Sequence, residues 1–242
     1  MPVIECINLT KTFKIPHEPI RSVKENLVSL FARKKYEKFE AVKNLDLEIN
    51  QGEFVSIIGS NGCGKSTLLK LIAGIYEPTS GEVKVQQRMA SFLELGVGFN
   101  GELTARENVF LYGAILGLSR REMKKRFNTI VEFSELERFL DTKLRNFSSG
   151  MYVRLAFATA VQSDAPIMLF DEVLAVGDVH FQKKCFALFE KMMREKKTII
   201  YVTHDLGTVE RFSDRVLWLN SGEKKMEGVA KEVVKKYKSS AV

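Results

Sequence analysis

The 242-residue chain is poor in cysteine: Cys6, Cys63 and Cys185 are odd in number and widely spaced. That pattern indicates neither a disulfide framework nor a zinc site, and it suits a reducing, cytosolic protein. Long apolar runs are missing too. No stretch approaches the ~20 residues that a membrane-crossing helix needs, and the opening "MPVIECINLTKTF" carries no signal-peptide pattern. Repeats and low-complexity tracts are likewise absent, which removes solenoid and tail-like architectures from consideration. What remains is a chain with 45% hydrophobic residues, ample for a core, and a net charge of +7. Such a charge is compatible with nucleic acid, an anionic membrane surface or phosphate ligands, and does not choose among them.

Hydrophobic patterning then divides the chain. "EFVSIIG" (53–59) is a short β-branched run ending in a glycine-rich loop, and "GKSTLLKLIAGI" (64–75) reads as a helix with Leu68, Leu69, Leu71 and Ile72 on its apolar side. "PIMLFDEV" (166–173) and "TIIYVTH" (198–204) are continuous apolar runs of the length of buried parallel strands. Helical patterns dominate about residues 96–164, between the helix at 64–75 and the run at 166–173. "RVLWLNSGEKKMEG" (215–228) places Asn-Ser-Gly turn chemistry between strand-like runs and predicts a late hairpin. Between Lys14 and Glu40 an insertion separates two strand-like stretches. Val23, Leu27, Leu30, Phe31 and Lys34 recur at helical spacing there, while Lys24, Arg33, Lys35 and Lys38 crowd the other positions. The expectation is a basic amphipathic helix over about residues 16–38, packed on its own domain or docked to something else.

Two motifs carry chemistry. "GSNGCGKS" (59–66) fits the phosphate-binding pattern G-x-x-x-x-G-K-[ST], in its required place between a strand and a helix. Gly59, Gly62 and Gly64 allow the backbone through Ser60, Asn61 and Cys63 to curl with its N–H groups facing phosphate oxygens. Lys65 brings a fixed charge to the β- and γ-phosphates, Ser66 a hydroxyl for Mg²⁺, and Thr67 reaches toward the α-phosphate. "IMLFDE" (167–172) ends an apolar strand in two acids: Asp171 suits Mg²⁺, through water, and Glu172 suits an attacking water. "YVTHD" (201–205) places His204 at another strand end, at the carboxyl edge where open α/β sheets bind ligands. From there it can donate to a γ-phosphate as charge develops. A third stretch, "FSSGM" (147–151), sets two serines and a glycine ahead of a helical segment. That composition fits a helix cap and equally an anion site.

In this order the motifs resemble one family, the nucleotide-binding subunits of ABC transporters, from Val3 to about Tyr237. The resemblance implies an α/β P-loop NTPase (RecA-like) core with an antiparallel β subdomain and a helical insert subdomain. It implies one ATPase domain over 1–242, its core about 1–93 and 165–230, that binds ATP and Mg²⁺ and hydrolyses ATP. "FSSGM" is similar to the family's signature, so Ser148, Ser149 and Gly150 would meet the γ-phosphate of ATP held by a second, head-to-tail copy. Asp178 in "AVGD" would cross the same interface. Phe13 takes the place of the aromatic that stacks on adenine, with Tyr36 and Phe39 as alternatives. Catalysis would rest on Lys65, Glu172 and His204.

The chain departs from that pattern where the family carries a glutamine that contacts Mg²⁺. It reads "FLELGVGFNGELTARENV", which leaves Glu94 or Asn100 in that place. This loop, with "SSGM" and "DEVLAVGD", resembles the ATPases of bacterial polysaccharide exporters. The N-terminal insertion narrows the resemblance to the O-antigen and teichoic-acid types rather than the capsule type. The implied partners are an integral membrane subunit and, through it, a lipid-linked polysaccharide, not nucleic acid. The implied location is peripheral, on the cytoplasmic side of the inner membrane. Some O-antigen members add a carbohydrate-binding domain, for which 242 residues leave no room, so a short member or an excised ATPase domain is expected.

Overall fold

Buried strands and helices alternate much as the apolar runs and the 3.6-residue patterns predict; the computed structural model describes residues 1–16, 36–93, 95–172 and 179–240. The first sheet is antiparallel, in the order β2 (Tyr36–Asn50), β1 (Pro2–Pro16), β4 (Ser80–Val85). The second has six strands: β5 (Met89–Ser91), β6 (Ile167–Asp171), β7 (Thr198–Val202), β3 (Phe54–Ile58), β8 (Arg215–Asn220) and β9 (Glu223–Val229). All neighbours in it are parallel except β8 and β9, the predicted hairpin.

Burial on both faces explains why these strands read as unbroken apolar runs. Val55 and Ile57 of β3 pack with Leu68, Leu69, Leu71 and Ile72 of helix α1 (Lys65–Ile72), which lies between the two sheets. Phe54, on the opposite face, joins Met168, Phe170 and Tyr201 against Phe181, Cys185 and Phe189 of α5 (Val179–Arg194). Ser56, also buried, shares a 2.6 Å hydrogen bond with the Ser213 hydroxyl, as a buried polar group must be satisfied. All three cysteines are buried and free, and burial pushes the Cys6 and Cys185 thiols up to about 12. They act as small hydrophobes.

Between β5 and β6 lies a helical insert with its own core: α2 (Ala105–Ile115), α3 (Arg120–Ser134) and α4 (Ser149–Ala160). Capping boxes start α2, through Thr104 and Glu107, and α3, through Ser119 and Glu122. The insert is pinned to α5 by Glu135, which ends α3 in left-handed backbone (φ 59). Its carboxylate meets Lys184 at 2.7 Å, His180 at 2.9 Å and Arg154 at 3.1 Å, and the Lys184 hydrogen bond above all holds its pKa below the ordinary value. The chain is completed by α6 (Leu206–Phe212) and α7 (Ala230–Ser240). Among the described residues, no helix is long and apolar enough to cross a membrane.

The insertion differs from expectation at its edges. Strands β1 and β2 continue their ladder to Pro16 opposite Tyr36, so Lys14, Ile15 and residues 36–38 are strand. Lys38 therefore belongs to a β-ribbon, not to the expected helix. Cross-strand pairing of Phe13 with Phe39 and Ile15 with Glu37 favours extended backbone there over helical spacing. Val23, Lys24, Leu27, Leu30, Phe31, Arg33, Lys34 and Lys35 lie outside the described residues.

Candidate functional site

Strand register assembles the site. Ile57 of β3 lies opposite Val202 of β7, and Val202 lies opposite Asp171 of β6. The loop after β3, His204 after β7 and the acids ending β6 therefore leave the sheet at one level, on its carboxyl edge. Neighbouring strands are about 4.8 Å apart, so side chains can bridge these positions.

The loop itself is braced from behind. Gly59, Gly62 and Gly64 all have positive φ (153°, 76° and 110°). A Cβ on Gly59 would come within 2.3 Å of the Leu219 carbonyl oxygen, and one on Gly64 within 2.1 Å of that of Ala41. Gly222, in the β8–β9 turn, donates its N–H to the Cys63 carbonyl at 2.9 Å, while the Lys43 N–H reaches the Gly222 carbonyl at 2.8 Å. Lys65 is buried, and its Nζ donates to the Gly59 and Ser60 carbonyls at 2.9 Å each. The ammonium is thus fixed inside the curl. Ser60, Asn61, Gly62 and Ser66 are exposed on the open side, and Thr67 is half-buried.

The Ser66 hydroxyl is close enough to the Asp171 carboxylate to favour its ionised form. Burial raises the Asp171 pKa, against the opposing effects of Ser66 and Lys65. Glu172 takes left-handed backbone (φ 51) with its N–H on the Val202 carbonyl at 2.9 Å, which turns its side chain away from the strand direction. Its Oε1 lies 3.0 Å from His204 Nε2, and both groups are half-exposed. A pocket beside this pair is lined by Thr203, Asp205, Tyr201 and Phe186 as well. Among the described residues, no cluster of three or more His, Cys, Asp or Glu side chains is placed to hold a metal ion. A Mg²⁺ ion here would rest on Ser66, Asp171 and oxygens of its ligand, and the hydroxyl and carboxylate on this side of the loop fit that sparse donor set.

Ser148 does cap a helix: its Oγ accepts the Met151 N–H at 3.2 Å at the start of α4. Capping leaves the first turn open, because Ser148 and Ser149 are exposed and a Cβ on Gly150 would meet nothing within 4 Å. The two readings of "FSSGM" are therefore compatible. Asn100 spends its side-chain oxygen on the Glu102 N–H at 2.9 Å, a local turn that occupies the acceptor. Glu94 and Asp178 lie outside the described residues.

Phe13 is part of an aromatic group that its neighbours in sequence do not announce. Tyr76, just past α1, meets the Phe13 ring edge-on at 5.7 Å, and Lys11 Nζ sits over both rings at 5.3 and 5.5 Å. Phe39 stands opposite Phe13 in the ladder, and Tyr36 and Phe39 are both exposed. Sequence reasoning missed Tyr76 because only sheet pairing and the turn after α1 bring it near Phe13.

Comparison with known proteins gives a consistent picture. The ABC transporter family pattern matches residues 42–175. An O-antigen export system ATP-binding protein of Klebsiella pneumoniae is 40% identical, over 99% of this chain and 98% of its own. One from Myxococcus xanthus is 48% identical over 83% of this chain, which spans only 46% of that relative. A teichoic acids export ATP-binding protein of Bacillus anthracis is 36% identical over 95% of this chain and 41% of its own length. Among solved structures, the dimeric post-hydrolysis state of an ATP-binding cassette bound to ADP and Pi superposes with a TM-score of 0.75. It is 30% identical, over 94% of this chain and 98% of that one.

Proposed function

This chain belongs to the ABC transporter family as an ATP-binding, ATP-hydrolysing cassette, and we propose that it powers export of a lipid-linked polysaccharide, O-antigen by preference, across the cytoplasmic membrane. One observation carries the reading: Lys65, Ser66, Asp171, Glu172 and His204 meet at one sheet edge, in a chain 40% identical along 98% of an O-antigen export ATP-binding protein. The teichoic-acid relative supports teichoic acid as a second cargo.

In this reading the backbone from Gly59 to Thr67 holds the phosphates of ATP, and Lys65 supplies the fixed charge. Ser66 and Asp171, with Glu94 as a further candidate, would hold Mg²⁺, which would supply positive charge to the β- and γ-phosphates. Glu172 orients the attacking water and takes its proton, and His204 donates to the γ-phosphate as negative charge builds. Phe13, with Tyr76 alongside, offers a stacking face for adenine. Ser148, Ser149 and Gly150 serve ATP on a second copy, arranged head to tail, and Asp178 would serve the same interface. ATP closes this dimer and hydrolysis reopens it.

That motion is passed to an integral membrane subunit, which places the chain peripherally on the cytoplasmic face of the inner membrane. The basic, apolar composition of the insertion around Leu27 and Phe31 suits a role at the mouth of the transport path. Each basic charge near an anionic surface would contribute about 1 kcal/mol.

Export in cells that carry the complete transporter tests the reading. Lys65→Ala should abolish surface polysaccharide and leave its lipid-linked precursor inside. Leu27→Ser with Phe31→Ser should also abolish export, yet leave ATP hydrolysis by the purified chain intact. Normal polysaccharide export in the Lys65→Ala cells would refute the assignment.

A further inference from the structure

The loop that replaces the family's glutamine is fastened to the signature helix at Gly96 and Phe99. Gly96 has left-handed backbone (φ 78), and a Cβ there would lie 2.7–2.9 Å from the ring and hydroxyl of Tyr152. Both the dihedral and the close ring restrict the position to glycine. The Tyr152 hydroxyl donates to the Gly96 carbonyl at 3.1 Å, and the Phe99 N–H shares that carbonyl at 2.9 Å. The Phe99 ring then meets Tyr112 and Tyr152 edge-on, each at 5.2 Å. Tyr112 is on α2 and Tyr152 on α4, so two helices of the insert grip the loop from either side.

Each end of this junction leads to an ATP-binding element. On one side, Phe92 donates its N–H to the Leu169 carbonyl at 2.8 Å, two residues before Asp171, so the loop springs from beside the Mg²⁺-side strand. On the other, Tyr152 donates its own backbone N–H to the Ser148 carbonyl at 2.9 Å, which closes the first turn of α4. One residue therefore bonds the loop through its side chain and the signature serine through its backbone. Packed aromatic contacts of this kind do not deform gradually; they move together or break.

We infer that Tyr152 is a positioning residue that couples the two ATP sites of the dimer, by making the Ser148 turn follow the loop beside the same subunit's Asp171. The inference rests on the head-to-tail reading above, in which Ser148 serves the neighbour's nucleotide. A shift of the loop on one subunit's ATP then reorients the serine offered to the other subunit's ATP. That is coupling between two distinct sites through a contiguous, hydrogen-bonded element.

Tyr152→Phe isolates the coupling, because it removes one hydroxyl and leaves the ring in place. The assay is steady-state ATPase rate against ATP concentration, for the purified full chain at fixed protein concentration. Wild type should show positive cooperativity in ATP. In Tyr152→Phe the cooperativity should disappear and half-saturation should rise about fivefold, the worth of one hydrogen bond, while kcat stays within about twofold. Gly96→Ala, which drives the Tyr152 ring off the loop, should show the same split. A Tyr152→Phe titration superimposable on wild type, or one that loses kcat with cooperativity and half-saturation unchanged, overturns the inference. Ser148→Arg separates that failure from a failure of the dimer reading: a fully active Ser148→Arg overturns both.

Discussion

The two loop glycines Gly62 and Gly64 offer a controlled test of how the phosphate loop is held. Both have positive φ, 76° and 110°, so alanine at either site adopts backbone that L-residues avoid. That strain alone costs about 1–2 kcal/mol. The sites differ in what surrounds them. A Cβ on Gly62 meets nothing within 4 Å, whereas one on Gly64 would sit 2.1 Å from the Ala41 carbonyl oxygen and 3.7 Å from Gly222. No flexible side chain can yield there, because the obstacle is the backbone of β2. Gly64→Ala must therefore push the start of β2 away, or shift α1, which Gly64 caps. Backbone displacement in a packed core adds about 1–3 kcal/mol to the strain. We expect Gly62→Ala to lower stability by about 1–2 kcal/mol and Gly64→Ala by about 2–5 kcal/mol, strain and displacement together. In a domain of this size each kcal/mol moves the melting temperature by about 2–4 °C, so melts of the nucleotide-free chain separate the two variants clearly. Equal shifts, or a milder effect at Gly64, would refute the claim that β2 braces the loop.

Three further outcomes follow from the same geometry. Without the membrane partner, ATPase rate should rise more than linearly with protein concentration, and Ser148→Arg should suppress it; a linear rate with an active variant is inconsistent with the head-to-tail dimer. Glu172→Gln keeps size and hydrogen bonding but not basicity, so it should bind ATP, accumulate as a closed dimer on size exclusion and turn over ~10²-fold more slowly or worse; near-normal turnover would move the base to another residue. Glu135 titrates below its ordinary value beside Lys184, His180 and Arg154, so its contribution is full above the unfolded pKa and is lost as pH falls through the lower folded one. Urea midpoints should therefore drop less between pH 7 and acid for Glu135→Gln than for wild type, and parallel drops would show that the cluster carries no stability.

Consecutive residues were enough to specify much of this protein. Continuous apolar runs marked β3, β6 and β7, and 3.6-residue patterns marked α1 and the helical insert. Gly59, Gly62 and Gly64 marked the phosphate loop, because a curl with positive φ is a property of adjacent dihedrals that only glycine meets cheaply. The Ser148 cap is local in the same sense, since its partner is three residues away.

Tertiary structure decided what those signals could not. The sheet runs β5-β6-β7-β3-β8-β9, so the strands beside β3 are not its neighbours in sequence. Only the parallel register of Ile57, Val202 and Asp171 puts Glu172, His204 and the loop at one edge. Ala41 and Gly222 brace the loop from opposite ends of the chain. Tyr76 reaches Phe13, and Tyr152 reaches Gly96, across separations that no local period records. At the edge of the insertion the ladder carries Lys38 opposite Lys14, so the β1–β2 pairing and not helical spacing sets its backbone. Local sequence sets dihedrals and apolar faces; which faces meet is fixed only when the whole core closes and buries them together.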